Sequence, residues 1–343
     1  MSPKIQVSIV TYNSAPHLQA CLQSLRAQTA RDFAVSLWDN ASGDESLQII
    51  AENQDWIQST HFSTRNIGFC AAQNRLIAEA DTEYVLALNP DVTLDARFME
   101  MLACALDCDA TAGAASGKLW RWNTGEPPQL PGGRILDTTG MYFTPSQRHL
   151  DRGAGEPDLG QYDRREYVFG ASGAAAFYRR KMLDELTAAH EYFDEAFFAY
   201  REDADLAWRA QWLGWRCLYV PEATGFHVRR VLPERRAALP PGINMHSFKN
   251  RFLLRIRNMD LGTYARFILP ITGRDLAAFG YVLLKERSSL EAIPLLFRSL
   301  PKSLAARRAL RRHRRVSPKA IRAWFAFRPV SKPADCGEPV RES

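Results

Sequence analysis

The chain has 343 residues, enough for two domains or for one large domain with an appendage. It is 46% hydrophobic and 24% charged, an ordinary globular balance that argues against a disordered chain. The net charge of +6 is unevenly spread: "KSLAARRALRRHRRVSPKAIR" (302–322) contains no acid, which points to an anionic partner such as a membrane surface, nucleic acid or a phosphorylated substrate.

The first third alternates strand and helix. "IQVSIVTY" (5–12) reads as a strand, and "SAPHLQACLQSLRAQ" (14–28) as a helix with Leu18, Leu22 and Leu25 at helical spacing and Ser14 as its N-cap. "FAVSLWDNASGD" (33–44) predicts a second strand closing in a polar turn, and "ESLQIIAEN" (45–53) a helix. "IQSTHFS" (57–63) predicts a third strand, "GFCAAQNRLIAEA" (68–80) a helix and "YVLALNPDV" (84–92) a fourth strand. Such alternation with short links predicts an α/β domain with a largely parallel sheet, whose ligands bind beyond the carboxyl ends of the strands. Residues 120–162 are rich in Gly, Pro and Arg and read as a loop-rich insertion with two short strands, a candidate lid. "EYVFGASGAAAFYRRKMLDEL" (166–186) returns to strand, turn and helix, "AYREDADLAWRA" (199–210) opens an acidic helix, and "RCLYVPEATGFHV" (216–228) predicts a final strand. Beyond residue 244 the segments are mixed apolar and basic helices, and residues 329–343 are expected to fray. The expected organisation is an α/β domain over 1–243, with halves 1–118 and 119–243, then a basic helical region (244–328) and a tail (329–343).

The six cysteines (Cys21, Cys70, Cys104, Cys108, Cys217, Cys336) form no CxxC and no Cys/His zinc spacing. Cys104 and Cys108 lie one helical turn apart and are expected in the core, and free thiols suit a cytoplasmic protein. The N-terminus lacks a signal-peptide layout, and no stretch approaches the roughly 20 apolar residues that cross a bilayer, so no integral membrane segment is expected.

Chemistry concentrates at five places. Asp91 follows an apolar strand and a stiffening proline, where a carboxylate either holds a hard divalent cation or bonds its own turn. Asp39 in "WDNASGD" has the same two readings. Glu202, Asp203 and Asp205 crowd a helix start; such acids either complement the helix dipole or include a general base. Trp208, Trp212 and Trp215 fall at i, i+4, i+7, a face that docks the helix, with sugar stacking as the lesser alternative. Arg179 and Arg180 either meet phosphate or sit on a solvated helix face. No GxxxxGK[ST] is present, and "GASGAA" comes too late in the chain for a dinucleotide fingerprint.

The fragments "VSIVTYNSAPHLQACLQSLRAQT", "WDNASGD", "RNIGFCAAQN", "LNPDV", "FGASGAAAFYRRKML" and "FFAYREDADLAWRAQWLGWRCLYVPEATGFHV" resemble, in order and spacing, family 2 glycosyltransferases, in particular bacterial rhamnosyltransferase-like members that build surface polysaccharides. The resemblance covers residues 5–257. It implies the nucleotide-diphospho-sugar transferase (GT-A) fold, a mostly parallel Rossmann-like sheet flanked by helices, with a C-terminal helical, basic appendage. It implies an inverting, metal-dependent enzyme that moves a sugar from a nucleoside diphosphate (dTDP-rhamnose as the nearest expectation; UDP-galactofuranose, UDP-GlcNAc or another UDP-hexose otherwise) to a glycan hydroxyl on a polyprenyl-diphosphate carrier. Thr11, Tyr12, Asn13 and Asp39 would hold the nucleoside, with Asn66, Gly68 and Asn89 lining the same side. Asp91 stands where the family's DxD aspartate binds Mg2+ or Mn2+, Asn89 replacing the first aspartate. His227 matches a histidine that completes the metal site in some relatives, or is a buried structural histidine. Asp203 matches the catalytic base, Glu202 supports acceptor or base, Asp205 caps or pairs, and Ser172 and Gly173 line the acceptor pocket. The implied location is the inner face of the cytoplasmic membrane, held peripherally by the basic C-terminal helices; packing of those helices on the protein or on a second subunit is the alternative, and no nucleic-acid motif accompanies the charge. A non-catalytic sugar-nucleotide-binding protein is the competing class.

Overall fold

The computed structural model describes residues 2–79, 81–122, 133–187, 191–229 and 240–334. The N-terminal half runs β1 (Ile5–Thr11), α1 (Ala15–Arg26), β2 (Phe33–Asp39), α2 (Ser46–Glu52), β3 (Ser59–Phe62), α3 (Phe69–Glu79), β4 (Tyr84–Leu88), β5 (Val92–Leu94) and α4 (Phe98–Cys108). Strands β3, β2, β1 and β4 lie side by side and parallel, with Thr11 opposite Asp39 at their carboxyl ends. β1 is buried throughout, as a strand covered on both faces must be. This half follows the expectation closely. Two local details differ. Ser14 stands at the N-cap of α1 without capping it; Asp44 accepts from the Ala15 N–H instead, at 3.0 Å. Cys104 and Cys108 are exposed rather than in the core, because the buried face of α4 is set by Phe98, Met99, Leu102, Ala105 and Leu106.

The second half adds β6 (Ala112–Arg121), β7 (Leu136–Thr138), β8 (Met141–Phe143), β9 (His149–Asp151), β10 (Glu166–Val168), β11 (Ala175–Arg179), α5 (Arg180–Leu186), α6 (Glu202–Trp212) and β12 (Arg216–His227). β11 enters antiparallel beside β4 and makes the sheet mixed; β6 and β12 follow, parallel to each other. The insertion expected as a loop-rich lid contributes β7 to the edge of β6 and a separate β8–β9 hairpin; residues 123–132 of it lie outside the described residues. Trp208, Trp212 and Trp215 are all buried, so the tryptophan stripe docks α6 on the core. Arg179 and Arg180 are structural: Arg179 donates to the Ala112 and Asp109 carbonyls, and Arg180 to Asp184, the Ile77 carbonyl and the Tyr192 hydroxyl.

The chain continues through α7 (Pro241–Asn258), α8 (Leu261–Arg266), α9 (Ile268–Lys285), α10 (Ala292–His313), α11 (Pro318–Arg322) and β13 (Lys332–Pro333). These elements are packed on the domain they were expected to trail from. Ile321, Trp324 and Phe325 belong to the same apolar core as the sheet, and α7 buries Asn250, Leu253, Leu254 and Arg257. Several basic residues of the C-terminal run serve that packing: Arg307 donates to the Ile256 carbonyl, Arg314 lies over the Trp212 ring and Arg315 pairs with Glu185. Part of the tail expected to fray from residue 329 is instead ordered, since Lys332–Pro333 pairs with β10; residues 335–343 lie outside the described residues.

Candidate active site

The carboxyl ends of β1 and β2 hold a polar shelf. Asp39 is buried, accepting from Thr11 Oγ1 at 3.0 Å and from the Ser42 N–H at 2.9 Å. An ionised carboxylate has about four acceptor positions, so Asp39 keeps capacity for a ligand donor. Asn13, in a left-handed conformation, accepts from the Gly43 N–H at 2.8 Å and closes the β1 turn onto the β2 turn. Tyr12 beside it is 52% exposed, a ring available for stacking. Asn66 bonds the Gly68 N–H at 2.9 Å, a local turn contact. Gly68 has φ +87°, and a Cβ there would stand 2.6 Å from the Phe198 ring. What approaches this glycine is thus the protein's own Phe198, the residue that leads into the acidic helix.

Just past β4, the Asn89 N–H donates to the Ala174 carbonyl, holding the 89–91 turn against β11. Asp91 is fixed through its backbone as well: its carbonyl accepts from the Val228 N–H, and β5 pairs antiparallel with the end of β12. That pairing sets His227 Nε2 3.5 Å from Asp91 Oδ1. His227 Nδ1 meets Asp137 Oδ2 at 2.8 Å, and Asp137, on β7, is fully buried. Burial opposes charge on this imidazole, but the hydrogen bonds to Asp137 and Asp91 prevail and raise its pKa to about 9. A carboxylate that fixes one ring nitrogen and aims the other at a second carboxylate is how protein metal sites orient a histidine ligand. Among the described residues no group of three or more His, Cys, Asp or Glu side chains is placed to hold a metal ion; Asp91 and His227 offer one carboxylate and one imidazole, 3.5 Å apart. Sequence reading passed over Asp137, since nothing in "ILDTTG" signals a partner 90 residues away.

The acids follow a strained turn. Phe198, Tyr200 and Arg201 all have positive φ (67°, 72° and 72°), costly for residues with side chains unless the surroundings enforce it. Asn250 on α7 enforces it: fully buried, its amide lies 2.9 Å from the Phe197 and Ala199 carbonyls and 2.7 Å from that of Tyr200. Asn250 was also missed, because the sequence placed it in a separate helical region. Asp203 accepts from the Gly173 N–H at 3.0 Å and from the Ala204 N–H at 2.7 Å, and Ser172 is buried beside Gly173. Burial, against these donors, raises the Asp203 pKa to about 6. Burial and the adjacent Asp203 charge push Glu202 up to about 8, and its Oε2 has no hydrogen-bond partner among the described residues. Tyr200 links the two halves of the site: burial and the charges of Glu202 and Asp91 push its hydroxyl up to about 12. Asp205 turns away, bonded to Arg209 at 2.8 Å and to Asn258 at 2.7 Å, the ion-pair role expected of it.

The sequence model of glycosyl transferase family 2 matches residues 6–187, more than half of the chain. The chain belongs to glycosyl transferase family 2. An N-acetylglucosaminyl-diphospho-decaprenol L-rhamnosyltransferase of Mycobacterium tuberculosis is 28% identical over 250 residues, 66% of this chain and 76% of that protein. Among solved structures, S. aureus TarS 1–349 in complex with UDP-GlcNAc superposes with a TM-score of 0.55 at 19% identity, covering 95% of this chain and 93% of that one. GalNAc-T7 with UDP, GalNAc and Mn2+ gives a TM-score of 0.57 at 17% identity; 75% of this chain is covered but about half (48%) of that longer protein. The family 2 member described here therefore has the GT-A fold expected from its sequence and is a glycosyltransferase.

Proposed function

We propose that this family 2 glycosyltransferase moves a sugar from a nucleoside diphosphate to a glycan hydroxyl with inversion, and that Asp203 is the general base. The observation that supports this most is the contrast between two adjacent acids: Asp203 accepts from the Gly173 and Ala204 N–H groups, whereas Glu202 Oε2 has no partner among the described residues, and burial raises the Glu202 carboxyl the further of the two. Environments that drive neighbouring carboxyls apart assign acid–base roles. The acceptor hydroxyl gives its proton to the Asp203 carboxylate as its oxygen bonds the anomeric carbon; the carbon–oxygen bond to the diphosphate breaks, and the nucleoside diphosphate leaves with the electron pair. One base suffices because the leaving group is already activated, unlike in a glycosidase. Gly173, through its N–H, holds the base, and Glu202 donates to the acceptor or supports the base. Thr11, Tyr12, Asn13, Asp39, Asn66, Gly68 and Asn89 form the nucleotide side of the cleft, and Ser172 borders the acceptor side. Asp91 and His227 would hold a Mg2+ or Mn2+ ion, and a divalent ion there would stabilise the charge on the departing diphosphate.

The mycobacterial relative is named for a lipid-diphosphate acceptor and an L-rhamnosyl donor, which supports dTDP-rhamnose and a polyprenyl-diphosphate-linked acceptor at the inner face of the membrane. Thermal unfolding against UDP, dTDP, GDP and CMP, each with and without Mn2+, tests the donor class. A ligand at about 100 times its Kd adds roughly 2.7 kcal/mol of stability. A metal-dependent upward shift with dTDP is the expected result; a shift with UDP alone moves the reading to a UDP-hexose or UDP-galactofuranose donor. No shift with any nucleotide overturns the proposal.

A further inference from the structure

Amphipathic helices ordinarily turn their apolar side inward. α9 carries a second apolar side facing out. Ile271 and Val282 are buried on its inner face, and Asp275 pairs with Arg255 of α7 at 2.7 Å. Outward, Leu269 (82% exposed), Leu276 (67%) and Leu283 recur every seven residues, a stripe of about 21 Å. Phe279, Tyr281 and Leu284 widen it, and no exposed position between 268 and 284 carries a charge. A contiguous patch of this kind marks a surface that meets an apolar partner.

The rim identifies that partner. Between 261 and 289 the exposed charged residues are Arg266, Lys285 and Arg287, all cations, while the acids of this segment are spent inside, Asp275 on Arg255 and Glu286 on Ser289. A second copy meeting this face across a two-fold axis would bring cations against cations. An anionic bilayer complements both features, apolar centre and basic rim.

We infer that the outer face of α8 and α9 docks this enzyme on an anionic lipid bilayer, with the Leu269–Leu276–Leu283 stripe below the headgroups. The inference rests on the lipid-linked acceptor proposed above and specifies the surface that meets it. It differs from anchoring by the arginine run of α10, part of which is engaged in packing. α7 connects docking to chemistry: Arg255 holds α9 through Asp275, and Asn250, just over one helical turn earlier, holds the turn that carries Glu202 and Asp203.

The test is flotation of the full chain with vesicles of phosphatidylcholine alone or mixed with phosphatidylglycerol. The wild type is expected on the mixed vesicles, with retention weakened by salt. L276E/L283E should lower retention about tenfold or more, with an unchanged melting profile and an unchanged nucleotide-induced thermal shift. R308A/R311A/R312A should retain most of the binding. Equal binding of wild type and L276E/L283E, loss of binding only in the triple variant, or a wild-type dimer that L276E/L283E turns into monomer would each overturn the inference. Failure of the transferase reading is separate: it would show as an absent nucleotide shift in wild type that still floats.

Discussion

Glu202 and Asp203 are neighbours on one helix, and burial raises the pKa of both, to about 8 and about 6. Two backbone donors, from Gly173 and Ala204, hold the Asp203 carboxylate, whereas Glu202 Oε2 has no partner among the described residues and the Asp203 charge adds to the effect of burial. Asp203→Asn should therefore lower turnover about 10²–10⁴-fold while the nucleotide-induced thermal shift persists; retained turnover would remove Asp203 as base. In the wild type, kcat/KM should fall as pH drops through about 6, where the base takes up a proton. Glu202 also has a stability signature. Its native pKa lies above the unfolded value of about 4.3, so the native state holds the extra proton and stability falls as pH rises from there to about 8, then levels. Glu202→Gln removes that loss. The melting midpoint of the variant relative to wild type should climb between about pH 5 and 8 and plateau above; parallel curves would contradict the assignment.

The site is assembled where elements from distant parts of the chain meet. β5, β12 and β7 bring Asp91, His227 and Asp137 into one line, and only the last of these orients the imidazole. Asp137→Asn should weaken the Mn2+ dependence of nucleotide binding, moving the metal titration midpoint about 10–100-fold upward, with the metal-free nucleotide response little changed. A coincident titration would mean that His227 is only structural. α7 performs the comparable task for the acids. Asn250→Asp exchanges an amide that donates to carbonyls for a carboxylate that cannot, within a turn already strained. It should cost about 1–3 kcal/mol in unfolding stability. It should also reduce kcat with little change in nucleotide affinity, a division that loss of stability alone would not produce.

At the scale of the molecule, the C-terminal helices are part of the catalytic body. Arg257 of α7 contacts Asp194 and lies 3.3 Å from Asp205, joining the helical region to both ends of the turn-and-helix that bears the acids. Replacing Arg257 by Ala would take one cation from buried Asp194 and Asp205, which keep Lys302 and Arg209, an expected loss of about 1–3 kcal/mol seen as a lowered denaturation midpoint. An independent appendage would show no such loss. No helix among the described residues is long and apolar enough to cross a membrane, and α9 presents an exposed apolar stripe.

The alternation of β1 to β4 with α1 to α3 was legible from residues 5–92 alone, because parallel strands and their crossover helices are local units whose hydrophobic period shows in short windows. The same locality placed Thr11 and Asp39 at neighbouring strand ends and made the tryptophan stripe readable as a docking face. Asp203 stood out through the family likeness of its surrounding segment. What the sequence left open depended on contacts between distant segments. The antiparallel entry of β11, the Asp137 support of His227 and the Asn250 hold on a left-handed turn each involve segments that no local pattern couples. Hydrophobic periodicity reports which residues prefer to leave water; which partner they find, and which charge then lacks one, is decided only when the chain closes on itself.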